Sequence, residues 1–469
     1  MNPSDLPSKS EPAGPRRRPG LALAAALLAL TAAARATGAE PAPAQVAPSQ
    51  AVSAAQGAPG SQATVTVCPT CAVKKLADAV KLAGAGATIV IRSGLYSESD
   101  VVIDKPVSLV GQDSPVIDGG GKSQIITVKA DGVAITGLTL KNSGTSYLAD
   151  LSALRIEQVG KCRIENNRFY DNFFAIYLAA ASDCVVRGNE VKGHAVSEAF
   201  SGNGIHAWNS RDILVENNRV SGHRDGLYFE FMHDSVVRGN VSQHNVRYGL
   251  HTMYSSDNRY EKNVVRANQA GVVLMYSKKL KVVDNLFEDN WGPACYGALL
   301  KDLDDSELTD NTVAHNSVGL YAEDSNRNSS RRNVFYNNGF AIRVMANAEG
   351  NVFCDNAFDA NTFDATTNST AASTNVFSRN YWSGYRGYDL NHDGVGDVPY
   401  WPVRLFGLLV EEYPTAIILL RSPFAGLMDA AEAAIPLLTP QALVDKQPLI
   451  QEPPWSKSKT SANALARYR

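Results

Sequence analysis

The chain has 469 residues, of which 44% are hydrophobic, with 44 Lys and Arg against 47 Asp and Glu and a formal net charge of −3. Near-balanced charge without a basic stripe interleaved with aromatics argues against nucleic acid as a partner. The length exceeds what one compact core usually holds, a limit that a repeat escapes because each unit touches only its neighbours.

A polar arm with Arg16, Arg17 and Arg18 leads into an apolar run from Leu21 to Ala34 and small residues up to Ala39. This pattern reads as a secretory signal over residues 1–39, since the alanine-rich run is shorter than the ~20 residues that span a bilayer. Removing it takes away five basic and two acidic side chains and leaves a mildly acidic protein. Residues 40–65, rich in Ala, Pro, Gln, Ser and Gly, read as a flexible linker.

Cys68-Pro-Thr-Cys71 follows, then a helical stretch from Ala72 to Leu82, predicted to cap the open first turn of whatever comes next. The cysteine pair fits a disulfide in an oxidising compartment, a thiolate metal site or a redox pair. Cys162 and Cys184 lie 22 residues apart, in positions that would stack and could bridge.

Between Thr88 and Leu140 short alternating strands end in Gly, Asn or Asp turns, and from Gly204 the pattern becomes regular. Gly204, Gly226, Gly249, Gly271, Gly297, Gly319 and Ala341 each open a short apolar run, spaced 22, 23, 22, 26, 22 and 22 residues apart. Asparagines 167, 189, 218, 240, 263, 285, 311, 333 and 356 climb beside them. Units too short for two helices, with alternating Val, Ile, Leu and aromatic residues, predict an all-β right-handed parallel β-helix over residues 66–400 with short helical caps at both ends. The asparagines are expected to stack as a ladder and to supply the left-handed backbone of a tight corner. Extra residues at 193–203 and 289–296 predict loops projecting from the coils.

Side-chain alternation sets direction. Residues one and three after each glycine should face the core, and residues two and four should face out, putting His206, His251, Met253 and Met275 on one exposed sheet. Met232 and His233 end the coil between them. Imidazole and thioether suit Cu(I). Met253 and Met275 occupy one slot on adjacent coils, ~4.8 Å apart. The same outward Met, Tyr and Trp side chains also fit an apolar contact patch for a partner. Asp302, Asp304 and Asp305 form the one carboxylate cluster that could serve glycoside cleavage, although acidic residues are ordinary at strand ends.

Beyond Asn380, the loop Asp389-Leu-Asn391-His-Asp393-Gly394-Val-Gly-Asp397 matches a calcium loop at positions 1, 3, 5 and 9, with Tyr400 where the closing Glu would stand. Without an ion it is an Asx turn. Residues 401–450 are apolar with few charges and interrupted by prolines, predicting short helices that close the solenoid and dock on another protein through Leu405, Phe406, Leu419, Leu420, Arg421, Phe424 and Leu427. Residues 451–469 read as a tail.

Three stretches together, Arg247-Tyr-Gly-Leu-His-Thr-Met-Tyr-Ser255, Ala270-Gly-Val-Val-Leu-Met-Tyr-Ser277 and Asp389…Tyr400 with Leu420-Arg-Ser-Pro-Phe424, resemble the NosD-type accessory proteins of nitrous oxide reductase maturation. The resemblance runs from about Thr88 to Leu449. It implies a periplasmic, non-catalytic β-helix that works with the permease and ATPase of an ABC transporter and with a copper-chaperone lipoprotein. Its task would be to deliver copper to the reductase, with the apolar segment on the permease and the His/Met face handling copper. The second repeat departs from the pattern, with Glu230-Phe-Met232 where other coils have Met-Tyr-Ser. The alternative from fold alone is a β-helix polysaccharide lyase, hydrolase or epimerase, and a purely adhesive surface solenoid is a third.

Overall fold

The computed structural model describes residues 63–146, 148–292, 295–435 and 438–460. The signal at 1–39 and the linker up to residue 62 lie outside them. Within the described residues, three parallel sheets of 14, 13 and 12 strands are wound by one path, each coil adding one short strand to each sheet. This is the right-handed parallel β-helix the period predicts. The first strand, Thr64–Val67, starts two residues inside the expected linker, and helix α1 (Leu76–Leu82) packs against the first coils.

Alternation is realised in the register. Ile205, Leu227, Leu250 and Val272 stack inward, as do Ala207, Phe229, Thr252 and Leu274, and all are buried. Aromatic columns fill the far end of the core: the Phe335 ring lies 4.9 Å from Phe358, which lies 4.0 Å from Trp382.

Each ladder asparagine makes the same bonds. Asn240 donates its backbone N–H and its Nδ2 to the single Oδ1 of Asn263, both at 3.0 Å, and a second Nδ2 bond reaches the Val215 carbonyl at 2.9 Å. Asn218 delivers the matching pair to Asn240. The left-handed residue expected at these asparagines sits one position earlier: Asn217, Lys262, Asp284 and Arg332 have φ between +54° and +55°, and Gly239 has +63°. The reason is geometric. The ladder residue must aim its N–H and its amide at one oxygen, so the chain reverses at the residue before it. At Gly239 a Cβ would also come within 2.3 Å of the Asn217 Oδ1.

Two sulfur pairs are joined, Cys68 with Cys71 and Cys162 with Cys184, the second across consecutive coils with Cα atoms 4.6 Å apart.

At the far end the chain leaves the solenoid, forms α2 (Leu405–Glu412), a 3-10 turn (Pro414–Leu419) and α3 (Pro423–Ala434), and then returns. Asp445 and Leu449 bridge Phe377 and Tyr381 of the last coil. Buried Asp445 accepts from Asn380 N, Asn380 Nδ2 and Trp382 Nε1 at 3.1, 2.9 and 3.0 Å, ending the ladder on a carboxylate. The segment 401–450 is therefore helical only in its first part. Residues expected as tail also fold: α4 (Pro454–Thr460) packs against the strand Val334–Tyr336.

Asn240→Ala should lower the free energy of unfolding by about 3 kcal/mol, because it strands donors and acceptors on two neighbouring coils. Urea denaturation checks this, with the half-exposed Asn375→Ala expected to cost less.

Candidate metal centre

Three columns run side by side along the outer face of the 12-stranded sheet. In the first, Tyr177, His206, Tyr228, His251 and Val273 are in register. Their rings follow one another with centroids 4.5 Å (Tyr177–His206, stacked), 4.6 Å (His206–Tyr228, edge-on) and 4.7 Å (Tyr228–His251, tilted) apart. The second holds Trp208, Glu230, Met253, Met275 and Lys301. The third is a stack of Phe231, Tyr254 and Tyr276, with centroids 5.2 and 5.0 Å apart and planes within 13°.

The expected direction of these side chains is observed, but their expected exposure is not. His206 is 6% exposed and His251 4%. The rings above and below cover them, Tyr248 lies 4.9 Å from His251, and Ala199 and Ser201 of the 193–203 insertion wall the cavity over His206. That cavity, about 550 Å³, is also lined by Arg155, Trp208, Arg224 and Glu230. Met253 and Met275 are half-buried on adjacent rungs.

Two of the sequence candidates fall away. Met232 has no exposed surface and its side chain joins the central core, because left-handed Phe231 reverses the chain and turns the next residue inward. His233 sits at the next corner, bridged to Arg211 and Ser256, with Nδ1 3.1 Å from the Ser256 hydroxyl. Neither belongs to the three columns.

What remains is held by a residue the sequence reading missed. Asp225, fully buried, accepts from Arg247 Nε at 2.8 Å and lies 3.3 Å from His251 Nδ1. Burial works to raise its pKa, but the Arg247 and His251 hydrogen bonds hold its carboxyl down at about 2. An ionised carboxylate fixes the Nδ1–H tautomer and leaves Nε2 with its lone pair. That Nε2 is buried and has no hydrogen-bond partner among the described residues. Burial also lowers the His251 pKa, against the pull of Asp225, so the ring stays neutral. Nearby, the Tyr228 hydroxyl is 3.6 Å from the Met253 Sδ. An imidazole nitrogen without a hydrogen-bond partner, on the same sheet face as two thioethers in register on adjacent rungs, suits a soft monovalent ion. The signal for Asp225 was a carboxylate in a slot where other coils carry Asn203, Tyr248 and Ala270.

The calcium reading has a different outcome. Asp389 oxygens accept from the Asp393 and Gly394 amides at 3.2 and 2.9 Å, Asp393 Oδ1 from Val395 N at 2.8 Å and Asp397 Oδ2 from Leu390 N at 2.6 Å, while Asn391 Oδ1 accepts from Asp393 N at 3.1 Å. These carboxylates close Asx turns on their own backbone, and three of them do not converge within 4.8 Å. Asp304 and Asp305 are likewise bound to Arg327 in ion pairs of 3.1 and 2.7 Å, and Asp302 turns a corner at φ +49°.

The C-terminal helices divide the docking candidates. Phe406 is 3% exposed and packs on Phe363, with Leu420 against the same cluster, while Leu405 is half-buried. Glu432 caps α2 by accepting from Leu405 N at 2.8 Å and binds Arg404 Nε at 3.0 Å. Leu419, Phe424 and Leu427 remain exposed at 40%, 45% and 68%, beside Ile418 at 83% and exposed Arg421. No described helix is long and apolar enough to cross a membrane.

The architecture is that of the pectin-lyase-like right-handed β-helices. The catalytic domain of a GH87 α-1,3-glucanase superposes with a TM-score of 0.53 over 70% of each chain at 12% identity, a likeness of fold alone. Sequence resolves the class further. The family described as periplasmic copper-binding protein (NosD) matches residues 192–387, the stretch that carries all three columns apart from Tyr177. A probable ABC transporter binding protein NosD from Pseudomonas aeruginosa is 31% identical over 384 residues, covering 77% of this chain and 88% of the relative. Its namesake from Stutzerimonas stutzeri is 29% identical over 375 residues, covering 76% and 85%. The chain belongs to the NosD family.

Burial, partly offset by the Gly202 and Phe173 carbonyls, holds His223 near pKa 4, against 6.5 for an unhindered ring. The unfolded chain therefore binds a proton that the folded one refuses, and stability present above pH 6.5 is lost as pH falls toward 4. His223→Gln should remove about 1.4 kcal/mol per pH unit from that slope, measured by urea unfolding at several pH values.

Proposed function

We propose that this protein is a periplasmic, non-catalytic scaffold that receives copper as cargo and passes it on during assembly of the copper centre of nitrous oxide reductase. The observation that carries the reading is the Met253–Met275 pair on adjacent rungs of the sheet face that also carries His251, whose Nε2 has no hydrogen-bond partner among the described residues and whose ring Asp225 fixes. The ligands would be His251, Met253 and Met275, with His206 one ring further along the same column. The described periplasmic copper binding of the family supports the cargo.

The relatives' name as ABC transporter binding proteins supports the second half of the reading. The exposed Leu419, Phe424 and Leu427 with Arg421 would dock on the permease, whose ATPase drives the cycle from the other side of the membrane. The columns would meet the copper-chaperone lipoprotein and then the reductase. The exposed Phe231–Tyr254–Tyr276 stack gives such partners a rigid apolar contact beside the thioethers.

Deleting the gene should leave the exported reductase short of copper, and a fully loaded reductase overturns the proposal. In vitro, Cu(I) titrated against a competing chelator should bind at least about tenfold more weakly to a His251→Ala, Met253→Ala, Met275→Ala variant. Leu419→Asp with Leu427→Asp should abolish co-purification with the permease while leaving Cu(I) affinity unchanged.

A further inference from the structure

The corner between the 13-stranded and 12-stranded sheets holds a second group of donors, of different chemistry. Glu288 ends the strand Leu286–Glu288 and is fully buried. Asp289 follows at φ +59°, and His315 fills the equivalent corner one coil on, at φ +55°. One donor atom from each lies within 4.8 Å of the other two, a spacing that no other three His, Cys, Asp or Glu side chains meet among the described residues. His315 Nδ1 stands 3.7 Å from Glu288 Oε1 and 3.6 Å from Asp289 Oδ1.

These separations decide the reading. A hydrogen bond between such atoms would bring them to about 2.7–3.2 Å. Ligands around a tetrahedral ion with bonds of ~2.1 Å lie about 3.4 Å apart. The three atoms are thus spaced as donors to a common centre, with both His315 contacts at ion-pair and not hydrogen-bond distance. The backbone keeps them there. Asn290 N and Nδ2 donate to Asn316 Oδ1 at 3.1 and 2.9 Å, clamping the two coils directly beyond the corner. His315 N donates to the Tyr336 carbonyl at 3.1 Å, and the Tyr336 ring stands edge-on 5.6 Å from the imidazole. Arg266, in register with Glu288, turns its Nε to Gln243 at 2.9 Å. Asp289 and His315 are 46% and 26% exposed, so the outer side of the group is open to solvent for a water ligand.

We infer that Glu288, Asp289 and His315 form a binding site for a borderline divalent cation of the zinc class. One imidazole and two carboxylates suit such an ion, whereas Cu(I) prefers the sulfur donors on the neighbouring sheet and calcium an all-oxygen shell. The inference stands apart from the copper reading, since it uses different residues on a different sheet.

The test is zinc titration of the purified, chelator-stripped protein by calorimetry, with cobalt(II) absorption as a probe of the donor set. One saturable zinc site is expected, with an oxygen and nitrogen cobalt spectrum free of sulfur charge transfer. His315→Ala and Asp289→Asn should each weaken zinc at least about tenfold. Asp289→Asn keeps both the size and the tolerance of the left-handed corner, and circular dichroism verifies that each variant is folded. Met253→Ala with Met275→Ala should leave zinc affinity unchanged. Absence of saturable zinc binding, wild-type zinc affinity in either corner variant, or loss of zinc with the methionines would each overturn the assignment.

Discussion

A single amide geometry organises this molecule. Each ladder asparagine gives both its backbone and its side-chain N–H to one oxygen on the next coil, so a shift of register by one residue would break two buried bonds per rung. Coils of slightly different length, including the one extended by residues 289–296, still align because Asn285 bonds Asn311 as Asn263 bonds Asn285. Extra residues are expelled at the corners, where they cost the sheets nothing.

That register turns a repeat into a surface with addresses. A residue two positions after the repeat glycine stands in the imidazole and tyrosine column, and one four positions after it stands in the thioether column. Changing a side chain in one coil leaves the backbone of its neighbours in place. The solenoid can therefore carry soft donors on two coils and a Lys301–Glu323 ion pair of 3.0 Å on the next two coils of the same column. Charge is placed with the same economy: Arg247, just before the repeat glycine, reaches back one coil to Asp225, which in turn orients His251.

Much of this was legible before the coordinates. Period and alternation were enough for the coil, the ladder, the inward and outward sets and both ends' helices, because each follows from local spacing. Exposure was not legible in the same way. His206 and His251 point outward and are nevertheless covered, since their cover comes from rings one coil away and from an insertion whose path no local pattern determines. Met232 was misplaced for a related reason: a left-handed aromatic, Phe231, changes the parity of the strand just before it. Aspartates at 389–397 match an ion loop by type and spacing, and the same atoms accept from their own turn amides, a use that type and spacing alone do not reveal. Asp225 and Asp445 escaped because each acts on a residue far along the chain.

The carboxylate at the last rung has a wider meaning. An open stack of strands is a template on which another chain, or another copy, can continue to grow. Asp445 takes up the final amide pair and the indole N–H and has no N–H of its own side chain to hand on. The terminal fold of the chain thus works as a stopper, allowing a structure whose every layer invites the next to remain a discrete particle instead of the seed of a fibre.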